Sequence, residues 1–218
     1  MPEGESYFQT NYVDYERQNS PAKLAFYRRL VLAHVAPGRS VFELGVGTGH
    51  FLQVLAQDYA CGGCDVNAFG VATARQRVPQ ATVVEGSFER IPVDPPPDAV
   101  VSWDVLEHVP ELDAALAAIH ARLAPGGRLI GMVPVYDGPL GWLVRRLDHD
   151  PTHLWKEGRH DWRRRLERAG FTVLDWGGVI RRLIGGRYYL HLTRPRCLLR
   201  RVGSAMYFVA AKAPPAAP

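Results

Sequence analysis

Cysteine is scarce in this sequence, with three in 218 residues. Three is too few, and an odd number, for a disulfide framework. Cys61-Gly62-Gly63-Cys64 has C-x-x-C spacing, but a zinc site would need two more ligands, and Cys197 alone does not supply them. A redox C-x-x-C opens a helix, whereas this one sits inside an apparent strand, so packing beside a strand is the expected role. Lysine is equally scarce: three Lys stand against 23 Arg. No apolar run approaches the roughly 18–20 residues a membrane-spanning helix needs. The opening Met1-Pro2-Glu3-Gly4-Glu5 is acidic and polar, unlike a secretory signal, so a cytoplasmic protein is expected. No repeat is visible, and low complexity is confined to Pro95-Pro96-Pro97 and the tail from Ala213 to Pro218. With 47% hydrophobic and 22% charged residues, the composition is that of a folded chain with a sizeable core.

The length suits one domain, or one domain with a lid. Ser20-Pro21 reads as the cap and first position of a helix. Leu24, Tyr27, Leu30 and Val31 follow as its apolar stripe, and Ala36-Pro37-Gly38 stops it. Strands and helices then alternate: strands over 40–44, 59–65, 81–85, 99–103 and 128–133, with helices over 49–57, 68–77 and 111–123. Residues 87–97 read as an irregular crossover. Such alternation implies a parallel sheet with helices on both faces. The second half is less regular, with a helix over 159–169 ended by Gly170, a strand over 171–176, a long Arg-rich excursion over 180–204 and a final strand over 205–211.

The first strand runs into Gly45-Val46-Gly47-Thr48-Gly49 and then a helix. A turn of glycines lets a ligand approach the backbone, and a helix start supplies free N–H groups. The spacing is G-x-G-x-G rather than the G-x-G-x-x-G of a dinucleotide site, and no Gly-Lys-Ser/Thr follows as in a P-loop. Asp65 ends the second strand 16 residues beyond Gly49. In doubly wound folds an acidic residue about 20 positions beyond the glycines accepts ribose hydroxyls. The pattern points to a nucleoside ligand at the strand C-termini.

Five ordered segments between residues 41 and 130 carry a resemblance. Glu43-Leu44-Gly45-Val46-Gly47-Thr48-Gly49 resembles the E/D-x-G-x-G-x-G first motif of class I S-adenosylmethionine (SAM) methyltransferases. Cys64-Asp65-Val66 resembles their acidic second motif, and Asp98-Ala99-Val100-Val101-Ser102-Trp103 their fourth-strand motif. Leu106-Glu107-His108-Val109 is similar to a stretch common in the small-molecule and quinone type. Leu123-Ala124-Pro125-Gly126-Gly127-Arg128-Leu129 resembles the L-x-P-G-G-x-L segment before strand five. Gly86-Ser87-Phe88 stands at the family's adenine-contacting position, with Ser87 where many relatives have an acid. The resemblance implies a Rossmann-like α/β fold: a seven-stranded, mostly parallel sheet with an antiparallel last strand. It also implies SAM as cofactor and S-adenosylhomocysteine (SAH) as product. Gly45, Gly47 and Gly49 would face the methionine end, Glu43 the glycine loop or the SAM ammonium, and Asp65 the ribose. Val66, Ser87 and Phe88 would line the adenine pocket, with Trp103 beside the cofactor. The implied organisation is a lid over 1–36, a SAM-binding half over 37–135 and an acceptor-side half over 136–218.

The acceptor side is read from residue types. An oxygen nucleophile of high pKa needs a general base, most often His or a carboxylate. The candidates are His153, His149 and His108, with Asp148 and His160 in the same region. Asp148-x-Asp150 and His149-x3-His153 have ligand residue types, but Pro151 breaks a helical face there, so no metal is expected. Tyr7, Tyr12 and Tyr15 would line a lid over the acceptor. Residues 1–135 carry a net −5 and residues 136–218 a net +9. Arg181 and Arg187, in the excursion before the last strand, are therefore candidates for an acidic, phosphorylated or carrier-bound acceptor. The expected reaction is methylation of a small molecule, at oxygen first and otherwise at nitrogen or carbon. A lipid or quinone acceptor, RNA, or a non-methylating SAM-binding protein are the alternatives; against RNA, no recognisable RNA-binding motif interleaves the arginines.

Overall fold

A computed structural model describes residues 18–88, 94–139, 141–148, 150–184, 188–193 and 196–213. The elements in chain order are α1 (Pro21–Leu32), β1 (Ser40–Leu44), α2 (His50–Leu55), β2 (Ala60–Asp65), α3 (Ala68–Arg77), β3 (Thr82–Glu85) and β4 (Ala99–Trp103). A 3-10 turn (Leu106–His108) leads to α4 (Leu112–Arg122) and β5 (Arg128–Pro134). The second half holds α5 (Gly141–Leu147), α6 (Arg159–Arg168), β6 (Phe171–Ile184), β7 (Tyr188–Leu192), α7 (Arg196–Val202) and β8 (Ala205–Lys212).

One sheet has the order β3-β2-β1-β4-β5-β8-β6-β7. The pairs β3–β2, β2–β1, β1–β4 and β4–β5 are parallel, while β8 runs antiparallel to β5 and to β6. The mostly parallel sheet with an antiparallel last strand is the expected one, but it has eight strands rather than seven. β6 continues past its pairing with β8 and returns as β7, which pairs Ile180 to Leu192 and Arg181 to His191. The Arg-rich excursion over 180–204 therefore begins as a hairpin.

The central strands are buried on both faces, which is why β4 and β5 read as nearly continuous apolar runs, broken only by Ser102 in β4 and opened by Arg128 in β5. On one face, Leu112, Leu116 and Ile119 of α4 and Trp162 and Leu166 of α6 cover Val100, Leu129 and Phe208. On the other, Tyr27, Leu30 and Val31 of α1 and Phe51 and Leu55 of α2 cover Val41, Val101, Ile130 and Tyr207. Helix α1 is entered as its sequence foretells: Ser20 Oγ accepts the Lys23 N–H at 3.4 Å, and Pro21 needs no partner for its nitrogen. Among the described residues no helix is long and apolar enough to cross a membrane.

Candidate active site

The strand ends build two adjoining regions. In the first, β1 stops at Leu44 and the chain turns through Gly45, Gly47 and Gly49, with φ of 71°, 51° and 82°. Such backbone is strained for any L side chain. A Cβ on Gly45 would also lie 2.3 Å from Val105 Cγ2, so the turn packs directly against the end of β4. Asp65, at the end of β2, pins the turn. Its Oδ2 accepts the Gly47 N–H at 2.8 Å and its Oδ1 the Asn67 N–H at 2.9 Å. Burial raises the Asp65 pKa, opposed by those N–H groups and that of Val66. Glu43 lies beneath the turn, 3% exposed, and its Oε2 has no hydrogen-bond partner among the described residues. Burial and then Asp65 push its pKa well up. A buried carboxyl with an open oxygen beside a glycine cradle fits a cationic ligand group, since a cation would relieve the cost of keeping that oxygen dry.

Val66, 53% exposed, lies on the rim, and Ser87 is half-buried. Phe88 is buried. Its ring lies 5.6 Å from that of Phe42, and the Arg122 guanidinium sits 5.2 Å over its face. Trp103 is likewise a packing residue here. It stacks on Tyr27 at 3.9 Å with the planes 5° apart, and meets Phe51 edge-on at 5.3 Å.

The second region lies beyond β4 and β5. Asp104 leaves β4 with φ of 60°, a left-handed conformation rare outside glycine. Arg181, carried over the sheet by β6, donates to Asp104 Oδ2. Burial works against ionisation of Asp104, but Arg181 and Lys23 outweigh it and hold its pKa down. Lys23, on the first turn of α1, is brought down to about 8 by burial. His191, across from Arg181 on β7, is lowered to about 4 by burial and then by Lys23 and Arg181.

Next along the chain, Glu107 is fully buried and neither carboxyl oxygen has a hydrogen-bond partner among the described residues. Burial, followed by Asp104, raises its pKa well above normal. The Glu107 carbonyl staples the loop after α5 by accepting the N–H groups of Leu154, at 2.9 Å, and Trp155, at 3.3 Å. Trp155 Nε1 adds a bond to the Val109 carbonyl at 2.7 Å. At the end of the 3-10 turn, His108 Nδ1 lies 3.0 Å from the carbonyl of Thr152 in that loop and 2.9 Å from Thr152 Oγ1. His153 Nδ1 lies 2.9 Å from Asp148 Oδ2. The two imidazole centroids are 4.8 Å apart. One ligand atom each from Glu107, His108 and His153 falls within 4.8 Å of the others. Asp148 Oδ2 also accepts from Tyr136, at 2.5 Å, and from Lys156, at 3.1 Å. Burial opposes ionisation of Asp148, but the bonds from Tyr136, His153 and Lys156 prevail and pull its pKa well below normal.

A glycine turn, an acidic second-strand end and a histidine-bearing loop over strands four and five coincide with a family pattern. The model of the methyltransferase domain matches residues 15–175. The chain belongs to that methyltransferase family. It is 29% identical over 183 residues to the ubiquinone biosynthesis O-methyltransferase of Paramagnetospirillum magneticum, covering 76% of this chain and 73% of that protein. It is 31% identical over 163 residues to a probable SAM-dependent methyltransferase of Mycolicibacterium smegmatis, covering 70% of this chain and 59% of that protein. The fold is that of magnesium protoporphyrin IX methyltransferase from Synechocystis, solved with SAH, at a TM-score of 0.68, 18% identity and coverage of 95% and 97% of the two chains. The protein is a SAM-dependent methyltransferase.

For this methyltransferase, the sequence reading brings Glu43, Gly45, Gly47, Gly49 and Asp65 to one cradle. It also names His108 and His153, which the loop after α5 places side by side. Arg181 reaches the same edge from β6. Tyr7, Tyr12, Tyr15, His149 and Arg187 lie outside the described residues. Sequence reasoning missed Lys23, Asp104, Tyr136 and His191 as site residues, and gave Glu107 no role beyond its place in a motif. Of these only Asp104 and Glu107 carried a local signal, through their place beside Trp103 and His108. The others come from distant elements.

Proposed function

We propose that this methyltransferase moves the SAM methyl group onto an oxygen of a small-molecule acceptor, with His153 taking the acceptor's proton. The carrying observation is His153 itself, held by Asp148 at 2.9 Å beside His108, at the strand ends where the fold places chemistry. Bound in the glycine cradle, SAM supplies an already activated methyl group. The chain's own tasks are then alignment, exclusion of water and proton removal. Alignment alone is worth about 7–11 kcal/mol in favourable cases. Glu43 would face the SAM ammonium, and Asp65 would hold the glycine turn while accepting from the ribose. The oxygen acceptor is supported by the O-methyltransferase name of the P. magneticum relative. Lys23 and Arg181 put two cationic side chains at the same edge, which favours an acceptor bearing an anionic group.

The test is transfer from methyl-labelled SAM into a cell extract, followed by fractionation and mass analysis. Label on oxygen of a soluble anionic compound is the expected result. Label in RNA, protein or lipid would overturn the acceptor class. Dialysis against a chelator discriminates further. Full activity afterwards is expected of a base mechanism, whereas loss with recovery on adding Mn²⁺ would assign Glu107, His108 and His153 to a cation.

A further inference from the structure

The loop over 148–156 is built around one carboxylate. Asp148 Oδ1 accepts the Asp150 N–H at 3.1 Å, and Asp150 Oδ1 in turn accepts the Thr152 N–H at 2.8 Å. These successive turns carry the chain from the end of α5 back to His153. Asp148 Oδ2 meanwhile gathers Tyr136, His153 and Lys156, donors from β5's far end and from the loop itself. Asp148 thus joins the loop's backbone to its imidazole.

The distances favour one arrangement of protons. Tyr136 Oη lies 2.5 Å from Asp148 Oδ2 and 3.1 Å from His153 Nδ1. Its single proton goes to the nearer, charged acceptor. His153 Nδ1, 2.9 Å from the same carboxylate oxygen, would set lone pair against lone pair if bare. A proton on Nδ1 suits that carboxylate, and in the tautomer that has it there the lone pair lies on Nε2. That atom lies 3.8 Å from Asp150 Oδ2, beyond hydrogen-bond reach.

We infer that Asp148, braced by Tyr136 and Lys156, is the positioning residue that sets the tautomer and ring orientation of His153 and presents Nε2 to the acceptor. This rests on the reading of His153 as proton acceptor. Asp148 touches neither acceptor nor cofactor in this role; it acts through the ring.

The experiment uses the full chain saturated with SAH, labelled with ¹⁵N in its histidines. Wild-type His153 should show a protonated Nδ1 and a bare Nε2; the opposite tautomer would overturn the inference without any variant. In Asp148→Asn the amide can still cap Asp150, but its NH₂ group can face Nδ1 and favour the other tautomer. The His153 signature should invert, and label transfer into the extract's acceptor fraction should fall about 10²- to 10⁴-fold, the range for a misoriented base. SAH affinity should stay within about twofold. Unchanged transfer in Asp148→Asn beside a dead His153→Ala would sink this inference alone. An active His153→Ala would sink the base reading beneath it.

Discussion

On the β1–β2 side the cradle is made largely of backbone: three left-handed glycines, an N–H held by Asp65, and two carboxyls on adjacent strand ends. On the β4–β5 side the proposed acceptor space is made of side chains from α1, the 3-10 turn, the segments after β4 and α5, and the β6–β7 hairpin. The first region is specified by residues close in sequence. The second exists only because remote elements converge on one edge. A cofactor shared by many reactions can be met by a fixed backbone shape, whereas on the proposed reading the acceptor is met by side chains.

If the two regions are separable, His153→Ala should lower methyl transfer by about 10²- to 10⁴-fold while calorimetric SAH affinity stays unchanged. Loss of both would break the separation. Gly45→Ala attacks the junction, where a side chain meets both a left-handed φ and Val105. Denaturant titration should show about 2–3 kcal/mol lost, with SAH binding weakened as well. A fully stable variant would mean the turn does not lean on β4. Asp65→Ala should weaken SAH at least about tenfold, since it removes both the brace on Gly47 and the expected ribose partner; unchanged affinity would remove Asp65 from the cradle.

The smallest effect sharpens the acceptor side. His191 has a folded pKa of about 4, below its unfolded value near 6.5. Between those values the unfolded chain binds the extra proton, so stability falls as pH drops from 7 towards 4. Complete burial would make the contribution about 3 kcal/mol; solvent screening of this partly exposed ring lowers it to about 2 kcal/mol, and His191→Gln should flatten the pH dependence measured by denaturant titration. An unaltered slope would place His191 outside the buried cluster.

Legibility follows the same division. Strand β4 falls on the residues its apolar run marks, and α3 on those between Asn67 and Val78, because cap, periodicity and burial all act locally there. Helix α5, strand β7 and helix α7 were not foreseen. At five to seven residues each, they are too short to show the apolar periodicity that marks an element before its neighbours are known. The packing of the Phe88 ring on Phe42 was not legible either, because nothing in Gly86-Ser87-Phe88 says which way the ring turns.

The amino-acid order by itself determined the alternating α/β plan, the glycine turn, the acidic second-strand end and hence the cofactor class, since each depends on spacing within a few tens of residues. Only the tertiary structure decided that Lys23, Asp104 and Arg181 meet, and that Asp148 holds His153 beside His108. The Asp104–Arg181 bond alone spans 77 positions, and such pairings are set by how helices and strands pack rather than by any local preference of the chain.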